Sequence, residues 1–245
     1  MAGQLIVFQN ISKSFGDNKV IRNLSLSIHE KEVFGIIGRS GSGKSTLLKM
    51  LIGFYPVDSG KILFRDNDIT NKPNIIKQVV GLCTQENSFY PELKVDENLF
   101  YYGKLYGMDT KELRKRQRDL LQLVGIYASR NILAGNLSGG MKRRLDFAIS
   151  LLHNPEILIL DEPTTGLDPI TEKDVWELIK SLTKKGVSII VISHMLSFVQ
   201  KYCDNIGFLS KGEILLTATP QQLLKRYSSK NNLADIFEHI EGMRK

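Results

Sequence analysis

Apolar and polar positions change their rhythm along this 245-residue chain, and each change predicts a different kind of element. Near the front, Leu24, Leu26 and Ile28 alternate with Ser25 and Ser27. Period two marks a half-buried strand, so the opening stretch is expected to form antiparallel strands. Residues 95–153 read as helix, interrupted at Gly107, Gly125 and Gly135. Then come 157–160 and 187–192, short runs that are almost wholly apolar, as strands covered on both faces are. Between them apolar residues fall at 175, 178, 179 and 182, the stripe of an amphipathic helix over 171–184. The pattern predicts an α/β fold: a parallel-sheet core, an N-terminal antiparallel β layer, and a helical insert over about 87–154. One domain is expected over 1–230, with 231–245 as a short tail.

Composition works mainly by exclusion. With 42% hydrophobic and 24% charged residues the chain matches an average soluble protein. No apolar run approaches the ~18 residues of a membrane helix. The first ten residues lack a basic segment, so no secretory signal is expected and the chain is placed in the cytoplasm. Cys83 and Cys203 lie far apart without metal-spaced partners, which predicts buried thiols rather than a disulfide or a zinc site. The net charge of +7 leaves nucleic acid, an anionic bilayer and phosphate-rich ligands open. Basic residues concentrate at 111–118 and 142–144, and the first cluster reads as a solvated helix face. No aromatic–basic motif accompanies them, so no nucleic acid is expected.

The strongest chemical signal follows the strand-like Val33-Phe34-Gly35-Ile36-Ile37. It is Gly38-Arg39-Ser40-Gly41-Ser42-Gly43-Lys44-Ser45-Thr46, and helical residues 47–52 come next. Strand, glycine-rich loop and helix in this spacing fit a P-loop, in which backbone N–H groups and a helix N-terminus cradle phosphates. Lys44 is expected on the β- and γ-phosphates and Ser45 on Mg²⁺. A second anchor is Asp161-Glu162, at the end of an apolar strand. There Asp161 suits a Mg²⁺ ion, and Glu162 is a candidate to polarise an attacking water. A third is Ser138-Gly139-Gly140: a good N-cap, two residues with uncovered backbone N–H groups, and a helix after them. Taken alone it reads as an ordinary capped helix; with the other two anchors in this order it reads as a second anion-binding helix end.

In this order, and with Leu137-Ser138-Gly139-Gly140-Met141 as its most specific piece, the sequence resembles the ATP-binding cassette (ABC) ATPases over nearly its whole length. The resemblance implies a P-loop NTPase core that binds and hydrolyses ATP with Mg²⁺. It implies two subunits packed head to tail, as a homo- or heterodimer, each ATP held between one P-loop and the partner's Ser138, Gly139 and Gly140. It assigns Gln85 to Mg²⁺ and the attacking water, Asp168 to the partner-facing D-loop, His194 to the γ-phosphate and Phe15 to adenine stacking. His29, His153 and His239 match no family position and are left as surface or core residues.

Some positions depart from the family pattern. Phe15 stands where Tyr is commoner, Met141 where many members have Gln, Thr165 where Ser is frequent, and Lys31 at a turn often given to Gly. The region from Gln85 to Leu93, with Phe89, Tyr90 and Pro91, corresponds to the wall that receives a membrane partner's coupling helix, so exposed aromatics are expected there. Phe100, Tyr101, Tyr102 and Tyr106 are expected in the core of the insert. Met141 followed by Lys142-Arg143-Arg144, and the tail from Leu233 to His239, look most like export-type subunits that pair with a separate transmembrane permease. That would hold the chain peripherally on the inner face of the membrane. A soluble, non-transport cassette ATPase such as the iron–sulfur assembly type is the alternative.

Overall fold

The computed structural model describes residues 3–230 and 232–242. Residues 1–2, the domain limit at 231 and the end of the tail at 243–245 lie outside the described residues.

In chain order the strands and helices are β1 (Gln4–Phe15), β2 (Asn18–His29), β3 (Val33–Ile37), α1 (Lys44–Leu51), β4 (Ser59–Phe64), β5 (Asn67–Asp68), α2 (Pro73–Val79) and β6 (Val80–Cys83). The helical middle follows as α3 (Val95–Leu105), α4 (Thr110–Leu123) and α5 (Gly139–Ser150). The chain then returns through β7 (Ile157–Asp161), α6 (Pro169–Lys184), β8 (Ser188–Ile192), α7 (Leu196–Tyr202), β9 (Asn205–Ser210), β10 (Glu213–Ala218), α8 (Pro220–Arg226) and α9 (Leu233–Gly242).

Two sheets result. The antiparallel one has the order β2-β1-β4-β5, and the larger has β10-β9-β3-β8-β7-β6. In the larger sheet β9, β3, β8, β7 and β6 run parallel, and only β10 is antiparallel, to its neighbour β9. The two apolar runs at 157–160 and 187–192 fall in β7 and β8, interior strands of the larger sheet. They are apolar throughout because each face of the sheet has its own core. Ile157, Ile159, Ile190 and Ile192 join the antiparallel layer and α1, while Leu158, Leu160, Ile189 and Val191 face the other helices. A shift of one residue in either strand would exchange these two sets, so the register is strongly fixed.

Parallel strands place all their carboxyl ends at one edge. The loops after β3, β6, β7 and β8 therefore converge there, and these are the loops that carry the candidate chemistry. Gly35 helps set the geometry, since a Cβ at that position would come within 3.1 Å of both Val199 and Cys203 on the helix that covers β3. Both cysteines are buried and unpaired, and burial pushes the Cys83 thiol up to about 12. They are packing residues, as expected.

Several expectations need correction. Phe89 is buried, leaving Tyr90 as the exposed aromatic of that stretch. Tyr101 and Tyr106 are exposed rather than in the core of the insert. Tyr101 forms a surface group with Tyr90 and Tyr102, and Tyr106 stacks on His153 at 4.3 Å. Nor is the basic segment 111–118 merely solvated: Arg116 donates to the carbonyls of Leu151 and Leu152 and so finishes α5, and Arg114 lies over the Phe100 ring. The tail carries the helix α9, whose Leu233, Ile236, Phe237 and Ile240 are buried in the main core. Lys31 adopts the left-handed conformation its turn demands, with φ of 58°.

Candidate functional site

The loop from Gly38 to Gly43 leaves β3 and enters α1 between two walls. A Cβ on Gly38 would collide with the Leu209 carbonyl, and one on Gly43, at φ 108°, would come within 2.7 Å of Ile21. Backbone that close to its neighbours admits only glycine. Lys44 begins α1 and turns back, donating from Nζ to the carbonyls of Gly38 at 2.6 Å and Arg39 at 2.9 Å. The lysine closes its own loop into a ring. Burial pushes its pKa down, while the charges of Glu162 and Asp161 pull it back up.

Around this loop opens a cleft of about 610 Å³ lined by Gly38, Arg39, Ser40, Gly41, Gly43, Lys44, Ser45 and Thr46. Gln85, Asp161, Glu162 and His194 line it too, so one cavity gathers side chains from the four convergent loops. Asn18, Val20, Thr165 and Ile192 complete the wall, and of these Asn18, Val20 and Ile192 carry no sequence signal for the site. Ser42 lies behind the wall, buried, with its hydroxyl unpartnered. Arg39 reaches out of the cleft to the Glu241 carboxylate of α9 at 2.6 Å.

At the end of β7 the two acids take different surroundings. Burial, and next the charge of Glu162, push the Asp161 carboxyl above its ordinary range, with Lys44 pulling the other way. A cation beside it relieves both penalties. Glu162 sits at φ 50°, a left-handed conformation that is uncommon for a residue with a side chain. Its Oε2 lies 2.8 Å from His194 Nδ1 and 3.4 Å from the Thr165 hydroxyl. Held in this way, Glu162 forms a carboxylate–imidazole pair across the mouth of the cleft. Ser45, Gln85 and Asp161 offer hydroxyl, amide and carboxylate oxygens, the hard donors that Mg²⁺ accepts alongside phosphate oxygens. Among the described residues no cluster of three or more His, Cys, Asp or Glu could hold a metal ion by itself.

The third anchor lies elsewhere. Ser138 caps α5, its hydroxyl accepting from Met141 N at 3.4 Å. Ser138 and Gly139 are exposed, and neither they nor Gly140 line the cleft. Gly140 is explained within the chain, because a Cβ there would collide with Thr171. For Gly139 the nearest atom is Leu167 Cδ2 at 3.7 Å, ordinary contact. Asp168 caps α6, accepting from the N–H groups of Ile170 and Thr171 and from the Thr171 hydroxyl, which hold its carboxyl below the usual range. Half-buried Thr171 thus joins the exposed Asp168 cap to half-buried Gly140, with Ile170 beside it 77% exposed. Met141 packs partly buried against the core. Phe15 ends β1, 42% exposed, its ring edge-on to Tyr55 at 5.0 Å and outside the cleft lining.

Sequence reasoning also missed Arg143 and Asp146. Arg143 is buried at 6% exposure, with Nε donating to the Pro163 carbonyl and the terminal nitrogens to the carbonyls of Thr84 and Asp161. Asp146 accepts from the Ser88 N–H and hydroxyl.

With this geometry established, known proteins match it closely. A family model described as "ABC transporter" matches residues 21–165. The chain is 37% identical over 218 residues to the "Linearmycin resistance ATP-binding protein LnrL" of Bacillus subtilis (strain 168), covering 89% of this chain and 70% of that one. It is 34% identical over 227 residues to the "Nod factor export ATP-binding protein I" of Rhizobium sp. (strain N33), covering 93% and 75%. Among solved structures, the ADP conformation of an ATP-binding cassette of an ABC transporter superposes with a TM-score of 0.85 at 27% identity, covering 96% of this chain and 98% of that one. The cbiO1 subunit from Clostridium perfringens, part of an ABC transporter complex, gives 0.86 at 28% identity, with 93% of each chain covered. Among the described residues no helix is long and apolar enough to cross a membrane. The chain belongs to the ATP-binding cassettes of ABC transporters, a family of ATP-hydrolysing subunits.

Proposed function

We propose that this chain is one half of an ATP-driven clamp that powers a separate membrane permease, in the direction of export. Two cassettes, identical or related, pack head to tail around two ATP molecules. Each triphosphate lies on Gly38–Thr46 of one cassette and is closed over by Ser138, Gly139 and Gly140 of the other. The observation that carries this reading is the division of the anchors. One cleft gathers the P-loop with Gln85, Asp161, Glu162 and His194, while the second capped helix end stands exposed outside it. An isologous pair related by a two-fold axis would supply what each copy lacks.

Within the clamp Lys44 neutralises the β- and γ-phosphates, and its ring of loop contacts is exchanged for phosphate oxygens. Glu162 orients and polarises the attacking water, and His194, tied to Glu162, meets the γ-phosphate. Phe15 stacks on adenine at the rim. Bound through Ser45, Gln85 and Asp161, Mg²⁺ would neutralise the charge that develops on the phosphates. The exposed Tyr90, close to Gln85, supports a permease contact along 85–93, which holds the chain at the inner face of the membrane. Export-type names among the relatives favour this over a non-transport cassette such as the iron–sulfur assembly type.

Glu162→Gln is the direct test. It keeps the shape of the cleft but removes the base, so turnover is expected to fall by roughly 10²–10⁴ while ATP binding persists. With hydrolysis blocked, light scattering should show ATP converting monomer into dimer. A variant that hydrolyses ATP at the parent rate would show that the base lies elsewhere. A strictly monomeric loaded sample, with the permease also present, would remove the clamp.

A further inference from the structure

The proposed function leaves open how closing on the partner at one end of α5 reaches the chemistry in the cleft. Residues 84–88, which carry Gln85, lie between the end of β6 and buried Phe89 without regular secondary structure. They have no ladder of backbone hydrogen bonds to hold them, and their side chains are exposed. Their position is set from outside, and α5 supplies the fixed points. Arg143 Nη1 donates to the Thr84 carbonyl at 2.6 Å, immediately before Gln85. One turn on, Asp146 Oδ1 accepts from Ser88 N at 2.9 Å and from the Ser88 hydroxyl at 2.7 Å. Tyr102 of α3 donates its hydroxyl to the Ser88 carbonyl.

Arg143 does more than hold that segment. Its Nε donates to the Pro163 carbonyl at 2.8 Å and its Nη2 to the Asp161 carbonyl at 3.2 Å, so one planar guanidinium joins the Gln85 segment to the turn bearing Asp161 and Glu162. A lysine could not reproduce this, because its single ammonium lacks the rigid fork that addresses three carbonyls in fixed directions. Buried donors of this kind, all satisfied, hold position as well as adding stability. Both residues lie on the helix whose first residues, Gly139 and Gly140, follow the Ser138 cap.

We propose that Arg143 and Asp146 are positioning residues. They tie residues 84–88 and the Asp161–Pro163 turn to α5, so that a displacement of its Ser138 end moves Gln85 relative to the triphosphate. The proposal rests on the role given above to Gln85. It makes the segment a passenger of α5 and gives partner closure a mechanical route to the attacking water. A misplacement of about 1 Å at such a group can cost roughly 10²-fold in rate.

The test is a double-mutant cycle in the full chain, reading steady-state turnover and, separately, affinity for ATP. Arg143→Ala should lower kcat by roughly 10- to 100-fold and leave ATP affinity within about threefold, since it touches no part of the P-loop. In a Gln85→Ala background the same substitution should cost less than about threefold, because the group it positions is already gone. If Gln85→Ala is slow and Arg143→Ala multiplies that loss, the positioning role is wrong while the role of Gln85 stands. If Gln85→Ala turns over ATP at the parent rate, the role of Gln85 fails and the positioning role falls with it. Should Arg143→Ala fail to fold, the other anchor serves in its place. Asp146→Ala should slow turnover about tenfold, and Asp146→Asn, which keeps an acceptor for Ser88, should restore it to within about threefold of the parent. Equal losses in Asp146→Ala and Asp146→Asn would overturn the proposal.

Discussion

Two helices of this chain open on glycine-rich segments suited to phosphate, and they are finished in opposite ways. The start of α1 is enclosed. Gly38 and Gly43 are wedged against Leu209 and Ile21, and Lys44 bonds back to its own loop. The start of α5 is open, with Ser138 and Gly139 exposed and nothing from the same cleft against them. A site meant to bind alone is preorganised by its own surroundings. One meant to be completed by another surface has its donors uncovered. The contrast separates what one copy can do, which is to hold a nucleotide, from what the proposed pair does with it.

The enclosed end gives the largest expected effect on nucleotide affinity. Lys44→Ala removes a charge-assisted phosphate contact and also frees the carbonyls of Gly38 and Arg39. Hydrogen bonds to charged groups contribute about 1.5–3 kcal/mol, so ATP affinity should fall by roughly 10²-fold. Equilibrium titration of the isolated chain reads this without turnover. Parent-like affinity would mean that the loop's backbone alone carries binding, and the contrast with α5 would lose its basis.

The open end is tested by two neighbouring glycines that the structure sets apart. Gly140→Ala drives a Cβ into Thr171 and should destabilise the chain by about 1–3 kcal/mol, the ordinary penalty of overpacking. Gly139→Ala meets nothing nearer than 3.7 Å and should leave thermal stability at or slightly above the parent, since alanine favours helix. In the paired state it should nevertheless slow turnover by about tenfold or more, because the methyl stands where the partner's phosphates approach. Affinity of a single copy for ATP should not change. A Gly139→Ala variant with parent turnover would show that the open end is only a capped helix.

What was legible in the sequence follows from how local each feature is. The P-loop could be read because its whole meaning is contiguous: strand, nine residues, helix. Asp161-Glu162 could be read because the strand before them is buried on both faces. Arg143 could not, because Lys142-Arg143-Arg144 looks like surface charge, and residue type does not reveal which one of the three is buried. Only the fold brings it to carbonyls 59, 20 and 18 residues away. The same limit explains the corrections among the aromatics. Phe89 and Tyr90 are adjacent, yet one is buried in the main core and the other exposed, a difference set by packing partners far along the chain. The fit of α9 onto the core was equally invisible, since a short apolar stripe near the end of a chain does not say what it packs against.

The smallest effect concerns the middle of α5, between its open start and its buried end. Burial pushes the Asp146 carboxyl above its ordinary range, with the two Ser88 donors and the Arg143 charge pulling it back down. A folded pKa above the unfolded value of 3.8 means that the folded chain holds this proton more tightly. Its contribution to stability is therefore complete below the unfolded pKa and is lost as pH rises through the folded one. Asparagine carries no such slope. The melting temperature of Asp146→Asn minus that of the parent should accordingly grow from acid toward neutral pH. The change should be small, since 1 kcal/mol moves the melting temperature of a chain of this size by about 2–4 °C. The new amide also replaces Oδ2, a buried atom without a hydrogen-bond partner, so the exchange leaves a donor unsatisfied and offsets part of the gain. A difference that stays flat with pH would mean that Asp146 titrates like an exposed carboxylate. A rising one would show that burial in α5 disfavours the charged carboxylate, a cost in keeping with a helix that holds residues 84–88 for the chemistry rather than for the fold.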